Sequence, residues 1–451
     1  MSLFTRRSVL KSLGLGAAAV NAPHTLAATA EGAVSSADRA HLLAYFARVA
    51  PQLLRPAEGA LLYPSIAPTL PGKAYSTELW DWDTYWTTLG LFRIARLTAN
   101  ADLHAKICEH ARGSLLNFLH YQSSEGRIPI QVNIHHSDMF GSTDHNRPVA
   151  NQAKPVFGQL AMLIADESGA VSWLADDFDR LLRFYDSWSR TNRSAVGLMV
   201  WSNDVAIGND NDPTTFGRPD FSSANLLLNC LFYSDLKAAA ELAGRLNRTQ
   251  DQQKLAAQAG ALAKAIQKYC WDPRDRFFYT ADVQCVDRRA ELIPNVPQGM
   301  QMSWRTLPLR IQVFTGFLPM GCGIATREQA RDLVGLHLNN PETFHGAYGV
   351  RTLAKNEAMY SLEFSSNPSN WLGPVWIISN YLVWRGLVEY GFKAEADRLA
   401  AATVEMLAND LTRHGSLNEY YDPDSGAALS HDGFVDWNLL VAEMMEPGQP
   451  A

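Results

Sequence analysis

Between Ser202 and Pro219 the chain reads S-N-D-V-A-I-G-N-D-N-D-P-T-T-F-G-R-P, with Asn209, Asp210, Asn211 and Asp212 packed between Gly208 and Pro213. That composition belongs in an exposed turn, where short polar side chains bond the nearby backbone. Two kinds of chemistry suit it: oxygen ligation of a calcium ion, or proton transfer by a carboxyl group. The apolar segment Phe221 to Ala240 follows at once, so the acids stand at the mouth of a buried helix. A carboxyl group loses solvation there and its pKa rises, which suits proton donation near neutral pH. No ligand spacing matches an EF-hand, and neither a metal nor another cofactor is expected.

Other polar and aromatic clusters point to a sugar. Trp80-Asp81-Trp82-Asp83 and Trp86 put three indoles and two acids within seven residues. Trp82 and Trp86 are spaced as a core stripe on a helix, which suits Trp86. Trp82 with Asp83 suits a pyranose better, because an indole face covers the apolar side of the ring while a carboxylate accepts bonds from vicinal hydroxyls. Gln152 is expected at the start of a helix, facing either a sugar hydroxyl or water. Trp371, in Asn370-Trp371-Leu372-Gly373-Pro374, is either a wall of a pocket or a lid on the core. Glu419 lies in L-N-E-Y-Y-D-P-D-S-G, either as a solvated charge or as a carboxylate buried among tyrosines and placed to deprotonate water.

The elements that must position these groups are helical. From Ser35 onwards the apolar pattern alternates between amphipathic stretches and stretches apolar almost all round, the signatures of half-exposed outer helices and buried inner ones. Outer helices are expected near 36–56, 102–121, 172–191, 249–270, 326–338 and 393–411. Inner helices are expected near 82–97, 151–167, 221–245, 308–323, 371–390 and 433–446. Six such pairs are the pattern of an all-α (α/α)6 barrel, in which no pair can bury its apolar face without its neighbours. Short strands are expected in loops at Ile128–Ile134, Gly197–Trp201 and Phe277–Tyr279. The chemistry-bearing clusters precede inner helices, whose N-termini open on one face, so the clusters converge on one funnel.

The rest of the chain narrows the class. Its 451 residues, 47% hydrophobic and 19% charged, describe a globular protein with ample core. No linker or composition shift divides residues 31–451, which are expected to form a single domain. Residues 1–30 read as a twin-arginine signal peptide: T-R-R-S-V-L-K, an apolar run from Leu13 to Val20, and Ala28-Thr29-Ala30 as cleavage site. A periplasmic location and no membrane attachment after signal removal are the expectations. Loss of Arg6, Arg7 and Lys11 takes the formal charge from −7 to −10. A net acidic chain without a basic cluster lacks the counterion-release contribution that drives nucleic-acid binding. The five cysteines show no C-x-x-C and no metal spacing, and are expected to be buried free thiols.

Several motifs occur together and in order: W-D-W-D, G-N-D-N-D-P, F-T-G-F-L-P-M (Phe314 to Met320), N-W-L-G-P-V-W with N-Y-L, N-E-Y-Y-D-P-D-S-G, and G-F-V-D-W (Gly433 to Trp437). From about Thr77 to Met445 the chain resembles the clan of inverting α-glycosidases that contains trehalases, processing α-glucosidases and the mannosylglycerate and glucosylglycerate hydrolases. It looks most like the compact mannosylglycerate hydrolase-like members. The resemblance implies Asp210 as general acid and Glu419 as general base, acting on a small α-glucoside or α-mannoside. It implies a glycone pocket lined by Trp82, Asp83, Gln152, Gly208, Trp371, Trp376 and Trp437. Asp212 is a candidate neighbour to keep Asp210 protonated. Two positions depart from the pattern, Asn209 before the acid and Asn370 before Trp371, and both bear on which sugar is bound. Arg218 is either a partner for a carboxylate such as glycerate or an arginine facing water. The competing readings are a sugar-binding protein without turnover and a polysaccharide lyase. Sugar release separates hydrolase from binder, and an unsaturated product absorbing in the ultraviolet marks the lyase.

Overall fold

Helices that are apolar on every side cannot face water, and this chain buries them by ringing them with amphipathic partners. The computed structural model describes residues 33–147, 149–285, 295, 304–364 and 368–446. The twin-arginine pattern and the Ala28-Thr29-Ala30 site lie outside the described residues.

The first pair is outer α1 (Ser36–Val49) with inner α2 (Asp81–Leu97), followed by α3 (Ala101–His120) with α4 (Phe157–Ser168). Next come α5 (Phe178–Thr191) with α6 (Leu226–Arg245), and α7 (Thr249–Tyr269) with the short α8 (Leu318–Gly321). The last pairs are α9 (Arg327–Asp332) with α10 (Ile377–Tyr390), and α11 (Lys393–His414) with α12 (Val441–Met444). Single turns extend three of them: Phe314–Phe317 leads into α8, Leu333–Leu338 continues α9 as a π-helix, and Trp437–Leu440 leads into α12.

The inner elements form a closed ring. Helix α2 packs on α4, α4 on α6, α6 on α8 and α8 on α10, while α10 and α2 both pack on the Trp437–Met444 segment. Among the outer helices, α1 contacts both α2 and α11, joining the last pair to the first. Helix α5 reaches two inner helices through Phe184, 5.3 Å from Phe157, and Tyr185, 6.0 Å from Phe232. This is the (α/α)6 barrel that the alternation predicts. Closure is tight between its ends: a Cβ on Gly90 of α2 would stand 2.4 Å from Cβ of Leu439, so the approach requires glycine. The ring also supplies a missing cap. Helix α4 has no capping side chain of its own, and buried Asp235 of α6 accepts from the Gln159 N–H at 2.7 Å and from the Tyr185 hydroxyl at 2.8 Å.

The helices fall where expected, with α1 ending at Val49 and α5 starting at Phe178, but the inner helices other than α2 begin later than the pattern indicates. Helix α4 starts at Phe157 instead of 151, α6 at Leu226 instead of 221, and α10 at Ile377 instead of 371. The fourth inner element spans only Phe314–Gly321 of the expected 308–323, with Pro319 in the first turn of α8 and Leu307–Pro308 paired in a small sheet. Before α4, α6 and α10 the apolar pattern runs on into a non-helical segment that is buried almost as deeply as the helix, whereas residues 308–312 are exposed or half-buried. The strand Gln131–Asn133 pairs with Glu78–Trp80, and Phe277–Phe278 pairs with Trp271–Asp272. Residues 197–201 form no strand, only an isolated bridge between Arg193 and Met199. The five cysteines are free, but only Cys230 and Cys270 are buried, while Cys108, Cys285 and Cys322 are half-buried. Among the described residues no helix is long and apolar enough to cross a membrane.

Candidate active site

The loop from Ser202 to Pro219 is fixed by its own polar side chains and by Asn151. The Asn151 amide donates to the Asn203 and Val205 carbonyls at 3.0 and 2.8 Å and accepts from the Ser202 N–H at 2.9 Å. Asp212, fully buried, accepts from the Thr214 N–H and hydroxyl, the Asn209 amide and the Asn225 amide at 2.6 to 3.0 Å. It anchors the turn, and the Asp210 pKa is set chiefly by burial, Lys154, Ser369 and Glu419. Asn211 ties the turn to the loop before α10, accepting from the Trp371 N–H at 2.6 Å and donating to the Asn370 side chain at 3.2 Å. The Asp212 carboxylate and the Asn211 side-chain oxygen are thus engaged in holding the loop's shape, and among the described residues no cluster of acids, histidines or cysteines is arranged to hold a metal ion.

Asp210 is left facing a cavity of about 100 Å³ lined also by Tyr75, Trp82, Asp83, Lys154, Ser369 and Glu419. Burial pushes its carboxyl group up to about 6, Lys154 and a bond from Ser369 pull it down, and the Glu419 carboxylate raises it again. About half of Asp210 therefore carries a proton at pH 6, far more than of an ordinary aspartate. Glu419 reaches the same cavity from the loop before the last inner segment, across the ring from α6. It is 5% exposed, so it is not a solvated surface charge. Its Oε2 accepts from the Ser430 hydroxyl at 3.1 Å and lies 2.9 Å from His431 Nδ1, a contact that raises the His431 pKa. Two carboxyl groups from opposite sides of the barrel thus meet one small space, one partly protonated and the other oriented by two neighbours.

The wall beneath them is aromatic and acidic. Trp82 opens α2, with its ring 5.4 Å from that of Trp437 and 6.4 Å from that of Trp371. Gly208 (φ +100°) lies against the Trp82 ring, where a Cβ would come within 2.8 Å. Asp83 is pushed up to about 6, chiefly by burial, and shares a hydrogen bond with the Asp436 carboxyl group, which burial and Asp83 hold well above the ordinary range. Two adjacent buried carboxyl groups hold one proton between them, and Thr87 donates to the second at 2.6 Å. Lys154 supplies the cavity's positive charge. Its ammonium is 2.9 Å from buried Asp81 and 5.6 Å from the centre of the Trp82 ring.

The family model for the mannosylglycerate hydrolase MGH1-like glycoside hydrolase domain matches residues 76–435, which hold both carboxyl groups and most of this wall. The chain belongs to that family. This MGH1-like chain is 29% identical over 147 residues to a mannosylglycerate hydrolase from Thermus thermophilus, covering 32% of each chain. It is 20% identical over 288 residues to a mannosyl-oligosaccharide glucosidase from Saccharomyces cerevisiae, covering 60% of this chain and 32% of the relative. The chain thus spans about a third of the length of these curated relatives. Its fold matches that of a GH63 mannosylglycerate hydrolase from Thermus thermophilus solved in complex with glucose, with TM-score 0.64, 19% identity, and coverage of 88% of this chain and 98% of that one.

Of the residues expected at the site of this MGH1-like protein, Trp82, Asp83, Gly208, Asp210, Glu419 and Trp437 line the cavity, while Gln152, Trp371 and Trp376 stand outside its lining. Gln152 lies in the non-helical segment before α4, 1% exposed, accepting from the Ser187 hydroxyl at 3.2 Å, and so does not open a helix. Trp371 and Trp376 are stacked 4.1 Å apart at 7° and back the wall formed by Trp82 and Trp437. Asn370, the departure before Trp371, accepts from the Leu372 N–H at 3.0 Å and donates to the Ser361 carbonyl at 3.0 Å, so it shapes the loop. Arg218 is ion-paired with Asp282 and half-buried, and so is already partnered. Lys154, Ser369, His431 and Asp436 escaped the sequence reading. Asp436 had a signal, since it precedes Trp437 in G-F-V-D-W much as Trp82 precedes Asp83, but the others sit in unremarkable stretches.

Proposed function

We propose that the protein hydrolyses a small α-glucoside or α-mannoside with inversion, using Asp210 as general acid and Glu419 as general base. The observation that carries this reading is the unequal pair of carboxyl groups on one cavity: Asp210 held up at about 6 and Glu419 fixed by Ser430 and His431. An acid that keeps its proton can protonate the glycosidic oxygen as the bond breaks. An ionised carboxylate on the other face can take a proton from water as it attacks the anomeric carbon. Trp82 and Asp83 would grip the sugar ring by its apolar face and its hydroxyls. Family membership supports a glycoside as substrate, and the small volume supports one sugar with a compact leaving group. Glucosylglycerate, mannosylglycerate and trehalose are the candidates of that size. We place the activity in the periplasm, on the strength of the T-R-R-S-V-L-K pattern.

Incubation with mannosylglycerate, glucosylglycerate, trehalose and short α-glucans is expected to release glucose or mannose from at least one of the first three, faster than from the glucans. If no sugar is released while calorimetry records binding, the protein is a sugar-binding protein and this reading fails.

A further inference from the structure

A second, larger cavity opens among the C-terminal halves of the inner helices. Its volume is about 640 Å³, and Arg93, Lys237, Cys322, Tyr381 and Arg385 are on its wall. Asp83 and Arg93, one in each cavity, are ten residues apart on α2, or roughly 15 Å along the axis. Most charges on this wall are already matched. Arg93 pairs with Glu446 at 3.0 Å, Arg96 with Glu167 and Glu443, and Asp166 with Arg245 at 2.5 Å. Arg385 and Lys237 are different: among the described residues neither has an ion-pair or hydrogen-bond partner. Arg385, half-buried on α10, rests its guanidinium 5.9 Å from the centre of the Tyr381 ring, and Lys237 on α6 rests its ammonium 5.5 Å from that of Tyr233. Both side chains line the same recess as Cys322 and Ser234, and the Ser234 hydroxyl lies 3.5 Å from the Cys322 sulfur.

Two cations without a contacting partner and a hydroxyl on the wall of one recess form the donor set that an oxyanion requires, and a guanidinium binds a carboxylate or phosphate through two parallel bonds. Arg385 and Lys237 lie more than a turn inside their helices, where the negative end of the helix dipole has faded. We propose that this cavity binds a small molecule through a carboxylate or phosphate group, held between Arg385 and Lys237 and independent of the sugar cavity. Calorimetric titration of the full-length Asp210→Asn protein with sodium phosphate and, separately, sodium acetate, at ionic strength fixed with sodium chloride, tests it. Saturable one-to-one binding of at least one anion is expected, and the arm that binds identifies phosphate or carboxylate as the recognised group. Arg385→Met should weaken that binding at least about tenfold, the scale of a lost charge-assisted pair. The exposed Lys237→Met should weaken it about threefold without disturbing the fold. The bound anion should also slow iodoacetamide labelling of Cys322, as followed by peptide mass. No binding beyond the chloride control, or equal binding by wild type and Lys237→Met, would overturn the proposal.

Discussion

Asp210→Asn is expected to lower kcat at least about a hundredfold, the usual scale for removing a general acid, while making the protein more stable at alkaline pH. The two effects have one cause. Folding raises the Asp210 pKa to about 6, above the ~3.9 of an unfolded aspartate, so the folded state binds its proton more tightly. As pH rises from about 4 to 6 the unfolded chain sheds that proton first and native stability falls; above 6 the full cost of a buried charge is present. A shift of about two units amounts to roughly 1–3 kcal/mol after allowance for partial solvent access. Asparagine carries no such charge, so urea unfolding should show the variant gaining about that much at pH 8 and nothing at pH 3.5. Wild-type turnover should fall as pH rises through about 6 and the acid loses its proton. Activity near that of wild type, or a variant destabilised at pH 8, would show that Asp210 is not the strained acid described above.

Trp371→Ala is expected to act in the opposite sense on stability, costing about 3–5 kcal/mol in urea unfolding at neutral pH, the range for deleting a buried aromatic side chain. Trp371 is 2% exposed, its ring stacked 4.1 Å from that of Trp376 and 5.9 Å from that of Phe314, so its removal would open a large cavity among packed aromatic rings. Because the rings of Trp82 and Trp437 lean on this stack, KM should rise as well. Stability within 1 kcal/mol of wild type, together with weakened binding, would mean that Trp371 touches the sugar directly.

The contrast between these two residues shows what the sequence could convey. The alternation of amphipathic and fully apolar helices contained the barrel, because burial on one face or on all faces leaves different periodicities. Where inner helices begin was not legible in the same way. Gln152 and Trp371 sit in non-helical segments as buried as the helices they precede, and apolar content alone cannot separate the two. Distances across the fold were equally hidden. Asp212 is two residues from Asp210 yet serves Thr214 and Asn225, whereas Glu419, more than two hundred residues away in sequence, raises the Asp210 pKa. Lys154, Ser369 and His431 carry no motif of their own, and their importance follows only from what closure of the ring sets beside them.

The central claim is direct displacement at the anomeric carbon by a water activated by Glu419 while Asp210 protonates the leaving oxygen. The most direct measurement is the configuration of the first sugar released from the α-glycoside that the enzyme cleaves, followed by proton NMR before mutarotation mixes the anomers. Inversion predicts the β-anomer at the earliest times, with the α-anomer growing in at the rate of spontaneous mutarotation. Initial release of the α-anomer would contradict the account, because retention requires a carboxylate to attack the sugar itself.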